Sequence, residues 1–103
     1  MKIDKLVRDL IPQIIENQGK IAIIEKVSGE KLLHRLKDKL QEEINEFIAD
    51  EAVEELADIM EVIYAICAFK HISLEQLEQF RLFKAKKHGT FECGVILKEV
   101  LER

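Results

Sequence analysis

The sequence predicts an all-α fold: an antiparallel four-helix core with one or two short strands at most. Three observations predict it. A single proline, Pro12, and four glycines interrupt 103 residues, so long helices are permitted. Apolar residues recur at three- and four-residue spacing along successive stretches. Helix start and stop signals separate those stretches. Hydrophobic residues make up 48% of the chain, which favours folding over disorder. The length suits one domain, 1–103, built on one core.

The first segment, 5–17, carries Leu6, Leu10, Ile14 and Ile15 at helical spacing, with Pro12 starting or bending its helical part. Asn17-Gln18-Gly19-Lys20 reads as a stop and turn. Residues 21–27 are short, apolar and β-branched, which predicts a strand. Ser28 caps a second helix running to about Phe47. On a helical wheel Leu32, Leu36, Leu40 and Phe47 all fall within about 60° of Glu43, so a carboxylate occupies the middle of the apolar stripe. Asp50 is the expected N-cap of a third helix ending near Lys70. There Ile59, Val62 and Ile66 lie within about 40° of Glu55, and Asp58 lies about 60° to the other side. Ser73 and Gln76 form a capping box for a fourth helix, 74–88, whose Leu74, Leu77, Phe80 and Phe83 are expected to face the core. Gly89 ends it. Residues 91–98 suggest a second short strand that pairs with 21–27.

Bulk properties narrow the function. A formal net charge of −4 argues against binding a nucleic-acid polymer, which needs a surface of Lys and Arg. No apolar run approaches the roughly 20 residues that span a membrane, and the charged opening is no signal peptide. Cys67 sits in an apolar run, and neither it nor Cys93 has metal-ligand spacing, so a reducing cytoplasm is the simplest setting. The third helix is apolar almost all round, which predicts a homodimer or a dimer of dimers sharing residues such as Ile63, Ile66 and Cys67.

The charge distribution points to a site. From Leu40 to Phe69 there is no Lys, Arg or His, while nine acids lie between Glu42 and Glu61. Ordinary solvent-facing helices mix the two signs. Adjacent helices joined by a tight turn run antiparallel, which brings Glu43 and Glu46 near Glu55 and Asp58. Carboxylates crowded on an apolar face need positive charge nearby. All-oxygen ligands suit Mg²⁺ or Mn²⁺ better than Zn²⁺. The alternatives are a solvated acidic face, or acids paired with Lys and Arg from other segments.

Glu42-Glu43-x-x-Glu46 followed by Glu55-x-x-Asp58 resembles the EExxE…ExxD signature of the all-α nucleotide pyrophosphohydrolases, which include the MazG-like enzymes and phosphoribosyl-ATP pyrophosphohydrolase. Lys5-Leu6-Val7-Arg8-Asp9 with Ile11-Pro12 is similar to the KLVRDxIP opening of a small single-domain branch. Glu54-Glu55-Leu56-Ala57-Asp58 with Glu61-Val62-Ile63 is similar to its EELADxxEVI, and Lys87-x-Gly-x-Phe-x-x-Gly-Val-x-Leu97 to its RGGFxxGIxL ending. The resemblance thus extends over nearly the whole chain. It implies hydrolysis of a nucleotide between its α- and β-phosphates, giving a monophosphate and pyrophosphate. It also implies metal ligation by Glu43, Glu46, Glu55 and Asp58, with Mg²⁺ (or Mn²⁺) as cofactor. Glu42 is the candidate to orient the attacking water, against an exposed helix glutamate. Lys5, Arg8, Lys39 and Lys87 are the candidates to hold substrate phosphates, against surface pairing of Lys5 or Arg8 with Asp4 or Asp9, a charge-balancing Lys39 and a Lys87 that serves the helix dipole. The substrate could be a canonical, damaged or deoxy nucleoside triphosphate, or phosphoribosyl-ATP. The competing reading is a non-catalytic helical module that binds a nucleotide or a partner.

Overall fold

The computed structural model describes residues 2–103. It contains four α-helices: Ile11–Asn17 (α1), Gly29–Asp50 (α2), Val53–Phe69 (α3) and Leu74–His88 (α4). The fold is all-α, and among the described residues there is no strand. The chain divides into two compact units, the first ending at His71 and the second spanning Ile72–Arg103.

In the first unit, Pro12 opens α1 rather than kinking it, because its missing N–H falls where a helix has no intrahelical acceptor to serve. Gly19, at φ 81°, follows the end of α1 and donates its N–H to the Glu16 carbonyl at 2.9 Å. Glycine adopts that backbone conformation without a Cβ clash. Ser28 is extended and stands at the start of α2, but its side chain accepts no capping bond.

The helix α2 runs three residues beyond the expected end at Phe47. Asp50 is therefore the last residue of α2 and not the N-cap of α3, a position taken by Ala52. The reversal is made by Glu51, which sits in the left-handed region at φ 55°, ψ 21° and donates its N–H to the Phe47 carbonyl at 2.7 Å. Ala52 is extended, and α3 starts at once. This short reversal lets α2 and α3 pack against each other. Leu36 of α2 and Val62 and Cys67 of α3 are buried, each to 7% exposure or less. Burying a side chain such as Leu36 contributes about 1.5–3 kcal/mol.

In the second unit, the Ser73 hydroxyl accepts from the Gln76 N–H at 3.0 Å, and the Gln76 side chain accepts from the Ser73 N–H at 2.8 Å. That is the expected capping box. Gly89, at φ 89°, closes the C-terminus after a basic last turn of Lys86, Lys87 and His88. An ion pair links Arg81 and Glu78. The expected core face is not covered: Leu77 is half-buried, whereas Leu74, Phe80 and Phe83 are exposed.

The two expected strands are absent. Residues 21–27 and 91–98 are without regular structure, and Ile21, Ile23, Phe91 and Val95 are all exposed. An extended run holds its backbone hydrogen bonds only through a ladder, and even a two-stranded ladder is marginal in water. β-Branched composition alone does not supply that partner.

Candidate carboxylate site on the helical hairpin

The antiparallel hairpin brings together acids that lie far apart in sequence. One carboxylate oxygen from each of Glu43, Glu55 and Asp58 lies within 4.8 Å of the others, and the same holds for Glu42, Glu43 and Glu46. Glu43 belongs to both trios. It is only 6% exposed, as covered as the apolar core residues. Its Oε2 and that of Glu55 are buried and accept no hydrogen bond. An acceptor left without a donor in that setting costs about 1–3 kcal/mol, more when charged. The donor set is all oxygen, and oxygens on opposite sides of Mg²⁺ stand about 4.2 Å apart at a ligand distance near 2.1 Å. The donor chemistry therefore suits a hard divalent cation, around which either trio would have to draw together.

Three bases reach these acids. Lys39, one turn before Glu43 on α2, lies 3.2 Å from Glu43 Oε1 and 3.4 Å from Glu42 Oε1. Lys5 lies 3.1 Å from Glu42 Oε1. The Arg8 guanidinium donates to Asp58 Oδ1 at 2.7 Å and stands 3.8 Å from Glu61. Candidate phosphate-binding and candidate metal-binding residues thus lie in direct contact. Lys87 belongs to the second unit, where it is exposed in the last turn of α4.

Proton affinities split the acids into two groups. Burial pushes the Glu43 carboxyl upward, and the charges of Glu46 and Asp58 add to that against the opposing pull of Lys39. Glu55 is pushed up to about 7, first by desolvation and then by the carboxylates of Glu46, Asp50 and Asp58. Glu42 moves the other way: burial opposes ionisation, but Lys5 and Lys39 together hold its pKa below the ordinary value. For Lys39, burial disfavours the charge, yet Glu43 and Glu42 outweigh it and the pKa is raised. A group held strongly ionised is a weak proton acceptor. Glu42 is therefore less basic than Glu55.

One tether was missed from sequence. Arg35 donates to both carboxylate oxygens of Asp4, at 3.0 and 3.2 Å, and to the Asp4 carbonyl at 3.1 Å. The usable signal was the i,i+4 spacing of Arg35 and Lys39, which places two bases in one row leading to Glu42 and Glu43. No helix is long and apolar enough to cross a membrane among the described residues. No family model, curated protein or solved structure matches the chain.

Proposed function

We propose that this chain hydrolyses a nucleoside triphosphate, or a related nucleotide, between the α- and β-phosphates, with divalent metal held by Glu43, Glu46, Glu55 and Asp58. The observation that carries the reading is Glu43, a buried carboxylate with an unpartnered oxygen beside a second unpartnered carboxylate oxygen on the facing helix. A structural acid on a solvated face would have neither property. Mg²⁺ or Mn²⁺ bound there supplies Lewis acidity toward the phosphoryl oxygens and neutralises the approach of a polyanion to a wall of acids.

The chain's own residues would divide the remaining work. Arg8 offers a planar fork for two phosphate oxygens, and Lys5 and Lys39 offer point charges beside it. Glu42, half-buried at the edge of the site, would orient a water for in-line attack. A homodimer or dimer of dimers completes the reading, because Leu56 and Met60 of α3 and Phe80 and Phe83 of α4 remain exposed.

One observation favours a second reading. Lys5, Arg8 and Lys39 already neutralise Glu42, Asp58 and Glu43, as they would in a non-catalytic helical module. A nucleotide panel with Mg²⁺ and Mn²⁺ separates the two. The hydrolase yields monophosphate and pyrophosphate, stops with EDTA and resumes with metal. Release of orthophosphate alone, or no turnover and no thermal shift with either metal, leaves the second reading standing.

A further inference from the structure

The N-terminal segment is tied down in an unusual way. Among the described residues, no backbone–backbone hydrogen bond attaches residues 2–7 to the rest of the chain. Side-chain ties of three residues hold the segment up to Arg8 instead: Asp4 to Arg35, Lys5 to Glu42, and Arg8 to Asp58. Two of the three end on carboxylates of the candidate site. The Arg8 tie ends on Asp58, which shares its trio with Glu43 and Glu55. In that trio Glu43 is buried with one oxygen unpartnered.

Arg8 is more than half exposed. An exposed ion pair of this kind is worth only about 0.2–1 kcal/mol. A divalent cation among Glu43, Glu55 and Asp58 would satisfy the Asp58 carboxylate and repel the guanidinium. The weaker contact gives way. We propose that Arg8 is a resident counter-charge on Asp58 that is exchanged for the divalent cation. The segment carrying it lies against the acidic face when metal is absent and releases its guanidinium for a phosphate when metal binds. The proposal rests on the metal-binding reading above, and it makes Arg8 a competitor of the metal before it is a partner of the substrate. Binding order follows: metal first, then the anion.

The test is calorimetric titration of the full chain with Mn²⁺ at low ionic strength and without nucleotide. Wild type is compared with Arg8→Gln and with Lys20→Gln, which removes the same charge from the turn after α1. Arg8→Gln should bind Mn²⁺ about 1.4- to fivefold more tightly than wild type, the range set by an exposed pair, and Lys20→Gln should match wild type. A second readout is the side-chain Nε–H resonance of Arg8, identified by its loss in Arg8→Gln, which should shift when Mg²⁺ is added. Equal or weaker Mn²⁺ binding by Arg8→Gln, or an Arg8 resonance indifferent to a metal that calorimetry shows to bind, overturns the exchange while leaving the metal site intact. If neither wild type nor Arg8→Gln binds Mn²⁺, the metal-binding reading itself fails, and the exchange fails with it.

Discussion

In the α2–α3 hairpin a glutamate is as buried as the leucine and valine of the core. In Ile72–Arg103 no residue is fully buried, and Phe80, Phe83 and Phe91 are 64%, 65% and 99% exposed. The usual arrangement places the aromatics inside and the carboxylate outside. The two regions depart from it in opposite senses, and the departures ask for different companions. Crowded carboxylates call for a cation, whereas a run of exposed aromatics calls for another apolar surface. The contrast separates a cluster that asks for charge from a surface that asks for cover.

The strongest way to break that contrast is to remove charge on each side. Glu43→Gln, Glu55→Gln and Asp58→Asn should each lower turnover by at least about ten- to a hundredfold, the scale seen when groups supporting a metal are lost. Helical content by circular dichroism should stay unchanged. Double amide mutants should lose far less than the product of the single effects, since the acids act as a unit. Lys87→Ala, in the second unit, should change turnover by less than any of these. A full loss from Lys87→Ala would erase the distinction. Arg8→Ala comes next in size and should raise KM about tenfold with little change in kcat, the loss expected for a charge-assisted hydrogen bond made equally in ground and transition states. Unchanged kinetics would remove Arg8 from the phosphate contacts.

Stability against pH sharpens the same contrast. The folded-state pKa of Glu55 is raised from 4.5 to about 7, and that of Glu43 is raised as well. The folded state therefore holds protons that the unfolded state has released. The stability Glu55 contributes is fully present below 4.5 and is lost as pH rises through about 7, and Glu43 acts in the same direction. Glu42, with its lowered pKa, runs oppositely: its contribution is present above 4.5 and fades as pH falls. Metal-free protein should thus melt at lower temperature at pH 8 than at pH 6. Glu55→Gln should flatten that dependence and raise the apo Tm near pH 8, at about 4–8 °C per kcal/mol for a chain of this size. Mg²⁺ should restore the wild-type Tm by mass action. Destabilisation by Glu55→Gln in EDTA would identify the acids as structural.

The smallest effects lie in the second unit. Ser73→Ala should cost about 1 kcal/mol through the lost cap, seen as a lower Tm with turnover unaffected. Phe80→Asp should disperse oligomers in light scattering, and a wild type that is monomeric at micromolar concentration would remove assembly from the comparison.

How much of this was legible in the sequence depended on whether the cause was local. The capping box of α4 was, because Ser73 and Gln76 satisfy each other within one turn. The shared face of Glu43 with Leu36, and of Glu55 with Val62, followed from helical geometry alone. The start of α3 was not legible. Asp50 is the better capping residue, but a left-handed Glu51 lets α2 continue through it, and nothing in a glutamate announces that conformation. The partners of the acids were half legible: Lys39 sits one turn away, whereas Lys5 and Arg8 arrive from 37 and 50 residues off. The strands failed because composition was allowed to stand in for a partner.

The reversal at Glu51 and Ala52 also sets a tolerance to change in length. Each residue of a helix advances its side chains by about 100°. One residue inserted into or deleted from α3 between Val53 and Glu55 would swing Glu55 and Asp58 roughly a quarter-turn or more about the helix axis, away from Glu43. The composition would hardly change and the helix would still form. Glycine at position 51 would ease the backbone by about 1–2 kcal/mol without altering that phase. For this hairpin, then, substitutions and indels are not comparable events: a substitution leaves the phase of α3 alone, but the residue count between Glu46 and Glu55 decides whether the acids of the two helices face one another.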